Sequence, residues 1–106
     1  MNVDAAILPS AASIVVIARN DADLFIKAWA KAFNSCDPLV VEAADIRWAV
    51  QLDKMEDWRD IIIESDSKVC VDVICQDLDD GDWNIFVLCT DAKVLAADFS
   101  SYLFCW

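Results

Sequence analysis

Residues 61–67 read Ile61-Ile62-Ile63-Glu64-Ser65-Asp66-Ser67. Three consecutive β-branched residues lack the two-residue alternation of a half-solvated strand, so they predict a short strand buried on both faces. The apolar run stops at a carboxylate, and Ser67 is placed to cap a following helix. In an open α/β sheet, ligands lie just beyond the carboxyl ends of the parallel strands. Asp66 holds such a position, and the rest of the chain decides which other side chains can reach it.

Upstream of this strand, Asp57-Trp58-Arg59-Asp60 is a polar link. Before the link, Asp37 followed by Pro38 predicts an N-cap with proline at the first helical position, and a helix running to about Met55. Its apolar residues (Val40, Val41, Ala44, Ile46, Trp48, Ala49, Leu52, Met55) cover more than a narrow stripe, which wedges it against a sheet. Glu42 is expected in its first turn, where the macrodipole favours a carboxylate by about 0.3–1 kcal/mol. Nearer the N-terminus, residues 2–8 predict a strand, Pro9-Ser10 a turn, and Ser13 to Arg19 (SIVVIAR) a central strand. After the turn residues Asn20 to Asp23, the stretch 24–33 (LFIKAWAKAF) reads as a third strand nearer an edge, where Lys27 and Lys31 discourage unwanted pairing, although its spacing also tolerates a helix.

Downstream, residues 67–76 and 83–97 show helical spacing, and 99–106 (FSSYLFCW) closes as a strand. Between those helices, Asp77-Leu78-Asp79-Asp80-Gly81-Asp82 holds the only glycine. It lacks the ordered spacing and distant bidentate glutamate of a calcium loop, and reads as a solvated turn. The order is therefore β-β-β-α-β-α-α-β, an α/β architecture with a five-stranded mixed sheet and helices packed on it. A meander followed by a right-handed helical crossover sets the fourth strand parallel to the first. Asp4 and Asp66 then belong to neighbouring strands, and Glu42, on the crossover helix, can point back at both.

A chain of 106 residues, 58% apolar, predicts a single packed domain. Nineteen acidic against eight basic residues give a net charge of -11. A field of that sign repels phosphate backbones and favours cations or basic partners. Histidine is absent, which excludes Cys–His zinc sites and histidine-dependent nucleophiles. The five cysteines are odd in number and form no CxxC pair. No basic, apolar leader is visible, so the cysteines are expected to be reduced core residues in an intracellular (nuclear or cytoplasmic) protein. No apolar run approaches the roughly 20 residues of a membrane span.

Three segments carry a family resemblance: Asn2-Val3-Asp4-Ala5-Ala6, Val41-Glu42-Ala43-Ala44 through Ile46-Arg47-Trp48-Ala49, and Ile63-Glu64-Ser65-Asp66-Ser67. In this order and spacing the chain resembles the ribonuclease H type-1 family, within the ribonuclease H-like superfamily. It looks most like the plant domains associated with non-LTR retrotransposons. The similarity runs over nearly the whole chain, including Ala18-Arg19-Asn20 and the 99–106 strand. Each motif is unspecific alone; the three in register are more telling.

The resemblance implies that Asp4, Glu42 and Asp66 hold two Mg2+ (or Mn2+) ions and catalyse hydrolysis of the RNA strand of RNA–DNA hybrids. One ion would activate water and the other would stabilise the leaving oxygen, about 3.5–4 Å apart. A carboxylate set suits magnesium, which takes oxygen ligands and keeps several waters. The departures are specific. The family has a fourth metal-side position in a helix after the last strand, and this chain ends at Trp106, so a domain over 1–106 clipped at both ends is expected. Loss of that C-terminal helix would expose the sheet near Cys105 and Trp106, implying lower stability or self-association through the last strand. Ala22 stands where many members have a turn glycine. Glu64 is expected to face solvent or a lysine. Lys27, Lys31, Arg47, Lys54 and Arg59 read by default as a solvated face, and could form a weak phosphate-facing patch if the third strand adjoins the helix end. The alternative function is a catalytically silent ribonuclease H-like module, a truncated retroelement-derived domain that binds nucleic acid or a protein partner.

Overall fold

The computed structural model describes residues 1–8, 13–33, 37–76 and 83–106. Its elements are β1 (Asn2–Leu8), β2 (Ser13–Arg19), β3 (Phe25–Ala32), α1 (Pro38–Met55), β4 (Asp60–Ser65), α2 (Lys68–Gln76), α3 (Trp83–Ala96) and β5 (Ser101–Cys105). This is the order read from the sequence. The acidic stretch 77–82, considered as a calcium loop, and Cys36 lie outside the described residues.

Among the described residues the sheet has five strands in the order β3-β2-β1-β4-β5. β1 pairs antiparallel with β2 and parallel with β4, so the meander and crossover stand as predicted. β3 is an edge strand, almost wholly exposed. SIVVIAR contains no polar alternation, yet its burial alternates: Ile14, Val16 and Ala18 are fully buried and the residues between them half-buried. The same holds in β1, where Val3 and Ala5 are buried, and in β4, where Ile61 and Ile63 are. Ile62 points to the opposite face and is half-buried. The prediction of a strand buried on both faces is corrected here. Helix-covered core lies on one side of the sheet, and each isoleucine on that side is stabilised by about 1.5–3 kcal/mol of burial.

Helix α1 starts as predicted, with the Asp37 side chain accepting a hydrogen bond from Leu39 N at 3.0 Å and Pro38 opening the helix. No acidic residue lies in its first turn. Glu42 sits one turn further in, where the dipole argument no longer applies. Ala43, Ile46, Ala49 and Val50 are fully buried against the sheet and α3. Small side chains at 43 and 49 let the helix approach closely. The helix closes through Glu56 N donating to Leu52 O at 3.1 Å, followed by Asp57 in the left-handed region (φ 58°). The β2–β3 turn is held by Asn20 Oδ1, which accepts from Ala22 N and Leu24 N at 2.9 and 3.0 Å. Its left-handed residue is Asp23 (φ 62°), not Ala22, and aspartate tolerates that conformation, so alanine at 22 needs no glycine-like freedom.

Cys70 and Cys89 are buried core residues, whereas Cys75 is exposed and Cys105 half-buried. The core reading therefore fails for the latter pair, which lie at the end of α2 and at the last position of β5. No described helix is long and apolar enough to cross a membrane.

Candidate functional site

Because β1 and β4 run parallel, their carboxyl ends lie at the same edge of the sheet. Asp4 stands directly opposite Glu64, and Ala5 opposite Ser65. Val3 and Ile63 face the core, so alternation turns Asp4 and Glu64 together onto the other face. Two carboxyls at adjacent positions repel unless a proton or a cation lies between them. Hydrogen bonding to Asp4 accordingly pushes the Glu64 carboxyl above its ordinary range, with burial and the Asp4 charge adding to the effect and Arg19 opposing it. Glu64 is exposed, as expected, and its neighbour there is Asp4, with no lysine pairing it among the described residues. Arg19 supplies the counter-charge: its Nη1 lies 3.3 Å from Asp4 Oδ2 and 3.7 Å from Asp23 Oδ1.

Two cavities open at this edge. One, of about 290 Å3, is lined by Asp4, Ala5, Ala6, Ile17, Glu64, Ser65, Asp66 and Trp106. The other, of about 110 Å3, is lined by Ala5, Ala6, Ile7, Glu42, Asp45, Ser65, Asp66 and Ser67. Asp66 is the one acidic residue common to both. The structure therefore brings Asp66 to Asp4 on one side and to Glu42 on the other, but puts Asp4 and Glu42 on different cavities. Ala5 and Ala6, with single-methyl side chains, leave the space both cavities occupy. Behind Asp66 the chain is pinned by Ser65 Oγ, which accepts from Ser67 N at 3.1 Å. Ser67 Oγ accepts in turn from Cys70 N at 3.3 Å, the predicted cap of α2. A larger cavity of about 520 Å3, bordered by Lys54, Arg59 and Asp98, lies at the opposite end of β4, away from these carboxylates.

Among the described residues no three Asp, Glu, Cys or His side chains stand close enough to bind one metal ion directly. The donors are nonetheless hard oxygens, the set that suits magnesium or manganese. One further acidic residue borders the site. Asp45, one helical turn beyond Glu42, is buried, and neither of its carboxyl oxygens has a hydrogen-bond partner among the described residues. Burial pushes its carboxyl up to about 8, with Lys31 opposing. An orphaned buried carboxyl beside Glu42 and Asp66 is what a cation or its waters would satisfy, so the residues fit a divalent ion.

Sequence reasoning missed Asp45, Arg19 and the Asp4–Glu64 pair. The signal for Asp45 was its three-residue offset from Glu42, which sets both on one helix face. The signal for Arg19 was the antiparallel hairpin, which pairs it with Asn2 and so beside Asp4. Three of the five basic residues considered as a phosphate-facing patch are ion-paired. β3 does adjoin the end of α1 through Lys27–Glu56, while Arg47 pairs with Asp91 and Lys54 with Asp98 at 2.7 and 2.6 Å.

The crystal structure of RNase H1 from the halophilic archaeon Halobacterium salinarum NRC-1 is similar to this fold, with a TM-score of 0.84 over 97% of this chain and 80% of that one, at 13% identity. The N-terminal RNase H domain of rv2228c from Mycobacterium tuberculosis, solved as a fusion with maltose-binding protein, is similar at a TM-score of 0.82, covering 100% of this chain and 86% of that one, again at 13% identity. The fold is thus ribonuclease H-like. The chain belongs to the Reverse transcriptase-like family, which it matches over residues 2–106. No curated protein sequence matches it.

Proposed function

We propose that this domain is a divalent-metal-dependent nuclease of ribonuclease H type, acting on the RNA strand of RNA–DNA hybrids, with Asp4, Glu42 and Asp66 as its metal-holding carboxylates. The observation that carries this reading is the position of Asp66. It lies just past β4 and borders both the cavity of Asp4 and that of Glu42. Bound there, Mg2+ or Mn2+ would supply Lewis acidity to the attacking water and to the leaving oxygen. The chain's own contribution is placement. β1 fixes Asp4 opposite Glu64, α1 carries Glu42 in from the crossover, and Ser65 and Ser67 hold the backbone that presents Asp66. Hybrid binding is expected to be weak and salt-sensitive. Of the five patch residues, only Lys31 and Arg59 form no ion pair among the described residues, and the domain as a whole is strongly acidic.

The test is cleavage of a labelled RNA–DNA hybrid with Mg2+ or Mn2+, beside Asp66→Asn. Metal-dependent cleavage by the wild type, lost in the variant, supports the proposal; equal rates in both sink it. A second reading, a catalytically silent and retroelement-derived binding module, is favoured by the Asp4–Arg19 ion pair, which occupies a would-be ligand. Under that reading hybrid or protein binding survives Asp66→Asn and no cleavage is seen in either protein. We also propose contact between copies through β5, because Tyr102, Leu103 and Trp106 are exposed at that edge of the sheet.

A further inference from the structure

Helix α1 carries two carboxylates that no group among the described residues satisfies. Asp45 and Asp53 are 1% and 0% exposed, and all four of their carboxyl oxygens lack hydrogen-bond partners. A buried, unpartnered carboxyl is costly to keep. The two differ in what they border. Asp45 lines the cavity of about 110 Å3 with Glu42 and Asp66, and Asp53 does not. The basic side chain nearest in charge, Lys31, makes no ion pair with Asp45; its ammonium sits over the Trp48 ring, 4.5 Å from the centroid.

One water needs roughly 10–15 Å3 of such space, so the cavity has room for an ion with part of its water shell. Direct ligation by three side chains is not available among the described residues, since no three of their acidic groups stand within reach of one ion. Magnesium, however, gives up its waters reluctantly and is commonly held through them. A hydrated ion reaches carboxylates that lie too far apart to touch it. The absence of imidazole from the sequence and of any thiol from the described lining of this cavity argues for a hard cation over zinc.

We propose that Asp45 is a third carboxylate of a hydrated divalent-cation site formed with Glu42 and Asp66, contacting the ion through its water shell. This rests on the reading that Glu42 and Asp66 hold metal. It adds a position outside the Asp4, Glu42 and Asp66 set, and it draws that position from the interior of α1. Asp45 acts here by positioning the hydrated ion.

The experiment is titration of the whole chain with Mn2+, following the electron paramagnetic resonance signal of the free ion, for wild type, Asp45→Asn, Asp53→Asn and Asp66→Asn. Asp53→Asn is the control, since it alters an equally buried acid of the same helix away from the cavity. Asp45→Asn is expected to weaken Mn2+ binding at least tenfold and to abolish the rise in melting temperature that millimolar Mg2+ gives the wild type. Asp53→Asn keeps both. Asp45→Ala, which leaves no buried amide to satisfy, serves as a second variant with the same expected loss should asparagine disturb folding. Wild-type affinity in both position-45 variants, with loss in Asp66→Asn, overturns the role of Asp45 and leaves the metal reading standing. No Mn2+ binding by the wild type overturns both. An equal loss in Asp53→Asn overturns the role of Asp45, because the effect would then belong to the helix and not to the cavity.

Discussion

Replacing Asp53 with asparagine is expected to make this domain more stable at alkaline pH and to change little near pH 5. Asp53 is fully buried in α1 with both carboxyl oxygens unpartnered. Burial pushes its carboxyl from 3.8 up to about 8, with the N-terminal ammonium lowering it and Glu56 raising it. A raised carboxyl pKa makes the folded state bind a proton that the unfolded state has already released. Between about pH 4 and pH 8 stability therefore falls as pH rises, by about 1.4 kcal/mol per unit for one such group. Asp45, also raised to about 8, adds a second slope of the same sign. Asparagine has the shape of the protonated acid and cannot titrate, so Asp53→Asn should halve the combined slope. From pH 5 to pH 8 the two proteins should diverge by about 4 kcal/mol in favour of the variant, which is a large share of the 5–15 kcal/mol of a typical domain. The assay is urea unfolding followed by tryptophan fluorescence from pH 5 to 8.5, above the isoelectric point of about 4.1. Stability curves that run parallel across that range would refute the reasoning and show that Asp53 is satisfied when folded.

Arg19→Met removes the half-exposed pair with Asp4, which should cost about 0–1 kcal/mol of stability. It should also tighten Mn2+ binding several-fold, because Arg19 is the counter-charge an incoming cation has to replace; weaker binding in the variant would show that Arg19 organises the site instead. Sedimentation velocity over a concentration series should reveal association that Leu103→Lys removes, since Leu103 is 55% and Trp106 68% exposed. A wild type that stays monomeric at every concentration would discard contact through β5.

The element order and the bounds of β1, β2 and α1 were readable because their signals are local: a β-branched run, a Pro-Ser turn, an Asp-Pro start. The family resemblance then supplied the register between distant motifs. What escaped was set by partners across space. Three isoleucines in a row carry no mark of which side the helices will cover, so the half-burial of Ile62 is not legible in the sequence. Glu42 falls beyond the first turn because the helix opens at Pro38, which makes Glu42 its fifth residue. Asp4, Glu42 and Asp66 were read as one cluster, whereas the sheet edge divides them into two cavities that share Asp66. Asp45 shares a helix face with Glu42 by its spacing, but its burial without a partner among the described residues is set by the fold.

The parallel pairing of β1 with β4 also bears on how the chain folds. β1–β2 and β2–β3 are hairpin neighbours, but β1 meets β4 only after α1 has crossed over. Contacts between such distant segments form late, because the closing entropy precedes any gain from them. Until then the second edge of β1 is bare, and bare edges recruit strands from other chains. A charge within such a strand acts as a gatekeeper against misassembly. Asp4, within β1 and opposite Glu64 of β4, is a charge of that kind on the edge that only the crossover covers.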